Sequence, residues 1–65
     1  MSSNIFRLIN FVGGGNLAKA KAIYEKTDPG DEKDIMRAAL STAFYNVRLD
    51  QETKNWISGL IEIGG

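Results

Sequence analysis

The chain has 65 residues, 43% apolar and 25% charged, with eight basic and eight acidic side chains and one proline. That composition is globular, and the length allows one domain, spanning 1–65. Cysteine and histidine are both absent, which excludes disulfide staples, thiol catalysis, zinc sites of the Cys/His type and histidine acid–base chemistry.

The first predicted helix covers about 3–12. Ser2 or Ser3 can cap it and Gly13 can end it. Ile5, Leu8, Ile9 and Val12 share one face, with Phe6 and Phe11 to either side. A helix this apolar requires cover on more than one side. The second helix, about 16–26, follows three glycines, with Asn16 as its cap. Leu17, Ala20, Ile23 and Tyr24 form its stripe.

Thr27 or Asp28 is the expected cap of a third helix over about 30–48, with Pro29 at its first position. Asp31, Glu32 and Asp34 crowd its first turn, where the helix dipole favours negative charge. Two apolar seams run along it. Met36, Leu40, Ala43 and Val47 make one; Ala38, Thr42, Tyr45 and Leu49 lie roughly opposite. A helix with two such seams is expected to sit between neighbours. Asp50 caps the fourth helix, about 51–63, whose stripe is Trp56, Ile57, Leu60, Ile61 and Ile63.

The expected fold is therefore all-α: a compact bundle of three to four short helices that a second copy can complete. Met36, Leu40, Val47, Trp56 and Leu60 are the expected core. Phe6, Phe11, Ala38, Tyr45 and Leu49 are the expected interface. A core this small rarely supplies more than about 3–5 kcal/mol without staples. Self-association or a partner protein is the remaining device.

Charge divides along the chain. Residues 1–27 carry Arg7, Lys19, Lys21 and Lys26 against Glu25, a net +3; residues 28–65 carry a net −3. Solvated helix faces explain most of this, because exposed pairs contribute only about 0–1 kcal/mol each.

Other functions fit less well. The three glycines lack the spacing and the preceding strand of a phosphate loop. The cluster Asp28, Asp31, Glu32 and Asp34 lacks the spacing of a calcium loop. No nucleophile stands beside a base, and so small a helical chain leaves little room for a pocket of about 300 Å³. No enzyme activity, cofactor or metal is expected.

Nucleic acid is disfavoured because the third helix starts with acids that repel phosphate. A membrane surface is disfavoured because Arg7 is the lone cation of the first helix. The start, Met1-Ser2-Ser3-Asn4, has no basic region, and Arg7 and Asn10 interrupt the run from Ile5 to Val12. A small, complete cytoplasmic protein is expected. The leading functional expectation is a small inhibitor or regulator that docks an apolar, aromatic helix face on a protein partner. The second is a small dimeric DNA-binding transcriptional regulator. Salt separates them, since nucleic-acid complexes weaken steeply with added salt.

Overall fold

Four α-helices follow one another in the computed structural model, which describes residues 3–64, with side chains through Glu62. They are α1 (Ser3–Gly13), α2 (Leu17–Lys26), α3 (Asp31–Asn46) and α4 (Gln51–Gly64). The expected roles of Ser2 as a cap and Ile63 in the α4 stripe lie outside the described residues. The all-α bundle expected from periodicity is the fold observed, and no strand occurs among the described residues.

Chain reversal after α1 falls at Gly15 rather than Gly13. Gly13 is still helical, and Gly15 takes a φ of 78°. The Asn16 N–H donates to the Phe11 carbonyl at 2.8 Å, and the Gly15 N–H to the Val12 carbonyl at 3.3 Å. This pair of bonds is a Schellman stop, which needs a left-handed residue at its centre. What the glycine run offers as a loose turn is a hydrogen-bonded corner. Gly15→Ala is expected to destabilise the protein by about 1–2 kcal/mol, because a Cβ clashes in that conformation. Thermal unfolding of the variant against wild type measures it.

Asn16 then caps α2 as expected, its side chain accepting from the Lys19 N–H at 3.4 Å. Thr27 closes α2 instead of opening α3. Its hydroxyl donates to the Ile23 carbonyl at 2.9 Å, and its N–H to the Tyr24 carbonyl at 3.2 Å. With Thr27 engaged backwards, α3 starts later than expected. Gly30 stands at its N-cap with a φ of 155°, a region essentially reserved for glycine. Pro29 accordingly precedes the helix, and α3 has no side-chain cap.

Asp50 opens α4 as expected: its carboxylate accepts from the Thr53 N–H at 2.8 Å. Hydrogen bonds from the Thr53 hydroxyl and N–H hold this carboxyl below its usual value of 3.8. The folded chain thus takes up the proton less readily than the unfolded one. The resulting stabilisation is complete above the ordinary aspartate range. It is lost as pH falls through the lowered folded value. Asp50→Asn is therefore expected to flatten the acid side of a stability profile between about pH 5 and pH 2. Urea midpoints measured across that range give the comparison. A profile as steep as wild type would remove Asp50 from the acid response.

Helix α1 packs on both α2 and α3, and α4 packs on α3. Helix α2 runs back along α1. Phe11 and Lys19 meet near the turn, while Arg7 and Lys26 share a cleft at the other end. Buried side chains come from every helix: Ile5, Leu8 and Val12, then Ala20 and Tyr24, then Met36, Leu40 and Ala43, then Thr53 and Ile57. The Cα radius of gyration is 10.5 Å, against about 10.7 Å for a compact chain of this length. Among the described residues no buried side-chain nitrogen or oxygen lacks a hydrogen-bond partner. No helix among them is long and apolar enough to cross a membrane.

Of the expected core, Met36 and Leu40 are fully buried, and Trp56 and Leu60 are half-buried against the same cluster. Val47 is not core: it is 43% exposed. The expected seam assumed helix through residue 48. Helix α3 ends at Asn46, and Val47 is extended at φ −118° and ψ 142°. Its side chain therefore leaves the 100° step that carried Met36, Leu40 and Ala43 inward. The early end suits Val47, whose branched Cβ favours extended backbone.

Candidate functional site

At 100° per residue, the exposed side chains of α3 fall on one arc. They run Asp31, Asp34, Ile35, Ala38, Thr42, Tyr45 and Asn46. The seam expected opposite Met36 and Leu40 is thus real as far as Tyr45, and among the described residues it stays exposed. Ala38 is exposed, and Tyr45 is 78% exposed. The Tyr45 ring meets that of Phe44 edge-on, with centroids 5.1 Å apart. Leu49 does not continue the seam. It lies beyond the helix end, half-buried and packed against the core.

Beside this arc, α1 and α3 leave an apolar groove of about 320 Å³, lined by Ile9, Ala39, Thr42, Ala43, Asn46 and Val47. Alanine at 39 and 43 makes the depression, since a larger side chain on either would fill it. Phe6 lies one turn before Ile9 on the same side of α1 and is 59% exposed. Ile35, 51% exposed, extends the α3 arc by a turn. It escaped the sequence reading, although it stands three residues before Ala38 and so falls on the same seam.

Phe11 turns the other way. It lines a shallow cleft of about 230 Å³ with Arg7, Lys19, Ala22, Ile23 and Lys26, on the α2 side of α1. The Lys19 ammonium sits 5.6 Å from its ring centroid, a cation–π distance. The two phenylalanines expected to act together therefore belong to different surfaces.

A third depression has a volume of about 550 Å³, more than the length of the chain suggests. It lies where the starts of α1 and α3 meet the end of α2, and its charged walls are Arg7, Lys26, Asp28, Asp31 and Glu32. Asp28 and Asp31 are exposed, so water reaches both carboxylates. Asp34 is engaged by the Arg37 guanidinium on its own helix. Among the described residues no three metal-ligating side chains converge on one point. The opening is thus a charged cleft of mixed sign, wide enough for a polar group. Comparison of the chain with protein-family models, with curated proteins and with solved structures returns no match.

Proposed function

We propose that this chain is a non-enzymatic, cytoplasmic protein-binding module that docks the α1/α3 side on a protein partner and acts as an inhibitor or regulator by occupancy. One observation carries the reading. Phe6, Ile35, Tyr45 and Val47 are all exposed; Val47 lines the apolar groove, and Phe6 and Ile35 stand one helical turn before its Ile9 and Ala39. Isolated exposed apolar side chains are ordinary, whereas a group around a depression marks an interaction site. Aromatic anchors beside a cavity are also the usual carriers of binding energy. The groove also carries exposed polar groups, Thr42 and Asn46, in its lining.

Phe6→Asp tests this reading, because an exposed site tolerates charge while a docking site does not. The variant should keep the wild-type circular dichroism spectrum. It should lose a partner that the wild-type chain retains at high salt. Retention of the same partner by the variant would overturn the reading. So would tight binding of duplex DNA that falls steeply with added salt.

A further inference from the structure

We infer that the groove between α1 and α2 takes an acidic amphipathic helix of a protein partner, held by two carboxylates with an apolar side chain between them. This surface lies away from the α1/α3 side and does not depend on it.

The groove is lined by Arg7, Phe11, Lys19, Ala22, Ile23 and Lys26. Half of that lining is cationic, and no carboxylate belongs to it. Arg7, Lys19 and Lys26 are exposed, and among the described residues none of them is in an ion pair. Between the charges the floor is apolar. Phe11 and Ile23 are half-buried there, and the small side chain of the exposed Ala22 leaves room above them. Glu25 is the one acid in residues 1–27. It points about 110° round α2 from the centre of this arc, so it does not neutralise the patch.

Spacing selects a helix as the occupant. Lys19 and Lys26 are seven residues apart on α2, which is about 10.5 Å along the axis and within about 20° of one face. Ala22 and Ile23 fall between them. A facing helix reproduces that period, with carboxylates seven apart and apolar residues at the third and fourth places between. An extended strand returns to one face at about 6.8 and 13.6 Å, and neither step matches.

Charge beyond the groove excludes a long polyanion. Arg7 and Lys26 also line the mixed-sign cleft, whose other charged residues are Asp28, Asp31 and Glu32. The surface thus runs from Lys19 across the apolar floor to Arg7 and Lys26, and then to acids. A nucleic-acid backbone has one sign throughout and is repelled at that end. A peptide helix can change sign, and a base one turn past its second carboxylate meets the acidic wall. The partner's side chains therefore run acid, apolar, acid, base. Complementary charge of this kind fixes register and excludes wrong partners.

The probe is a fluorescein-labelled helical peptide with glutamate at its first and eighth positions, leucine at its fourth and fifth, and lysine at its twelfth. A second peptide with the reversed sequence covers the other chain direction. Fluorescence anisotropy in about 0.05 M salt should show one of the two saturating with a Kd below about 1 mM. Glutamine in place of both glutamates should weaken it by about tenfold. Lys19→Glu combined with Lys26→Glu should weaken it by more than that, because attraction becomes repulsion. Lys19→Glu alone should be rescued by lysine at the glutamate facing it, and Lys26→Glu should not be rescued by that same peptide. Ala22→Glu, at an exposed helical position, puts an acid on the floor and should abolish binding. Circular dichroism establishes that each variant is folded.

No saturation by either peptide up to about 1 mM would overturn the inference, as would equal binding by the double Lys19→Glu, Lys26→Glu variant. Tighter binding of a single-stranded oligodeoxynucleotide than of both peptides would replace the peptide with nucleic acid. A self-associated chain that Lys26→Glu dissociates would replace it with a second copy. Phe6→Asp should leave peptide binding unchanged, so the α1/α3 reading and this one stand or fall separately.

Discussion

Leu40→Ala is expected to unfold most of the population, while Val47→Ala leaves the melting temperature nearly unchanged. Leu40 is 1% exposed at the centre of α3, within the cluster that joins Leu8, Met36 and Ile57. Truncating a buried leucine costs about 2–5 kcal/mol, from lost transfer energy and from the cavity that remains. A chain of this length holds about 3–5 kcal/mol in total, so the loss is comparable to the whole margin. Val47 stands on the same sequence seam but outside the helix, open to water. Its truncation removes little buried surface and should cost under about 0.5 kcal/mol. Urea titrations of the two variants measure the contrast. Equal losses would mean that α3 continues through Val47 and that the seam is buried along its length.

That contrast shows where sequence reasoning holds and where it stops. The four helices are legible because apolar spacing and punctuation agree: Ile5, Leu8 and Val12 ahead of the glycine run, Met36 and Leu40 behind the acidic turn. The ends are less legible, because several residues can serve either neighbour. Thr27 reads equally well as the start of α3 or the finish of α2. The choice goes to α2, where the Ile23 carbonyl is in reach of its hydroxyl. Gly13 and Gly15 read alike as stops until the chain direction decides which one takes positive φ. Thr53 carries no sign of its burial, yet only 2% of it is exposed. Its hydroxyl and N–H both serve Asp50, which lets a polar residue stand in the helix contact.

The candidate site was half legible for a related reason. Periodicity places Ala38, Thr42 and Tyr45 on a second face, but it does not say whether another helix lies there. The answer depends on where α1 settles. Ile9 and Ala43 meet across a groove, which leaves the α3 arc beyond it open. Phe6 and Phe11 illustrate the same point. Five positions apart on one helix, they are separated by about 140° and reach different neighbours.

Tyr24→Ala should be as damaging as the loss of Leu40, for a different reason. Tyr24 of α2 reaches both α3 and α4. Its ring is buried and meets Trp56 of α4 edge-to-face, with centroids 5.9 Å apart at 89°. The Lys33 ammonium of α3 lies 4.7 Å from the same centroid. Removing a buried aromatic side chain costs about 3–5 kcal/mol. Within that sum the ring pair supplies about 0.5–1.5 kcal/mol, and the cation about 0.5–1 kcal/mol. Tyr24→Phe keeps the ring, both contacts and nearly all the volume, so it should cost under about 1 kcal/mol. The chain has one tryptophan, and its fluorescence therefore reports this contact directly. Tyr24→Ala should shift Trp56 emission to the red even where ligand or osmolyte holds the chain folded, because water replaces the tyrosine edge. Lys33→Gln should leave the emission in place and lower stability only slightly. An emission maximum unmoved by Tyr24→Ala in the folded state would mean that α2 and α4 do not meet through these rings, and α4 would then be held by α3 alone.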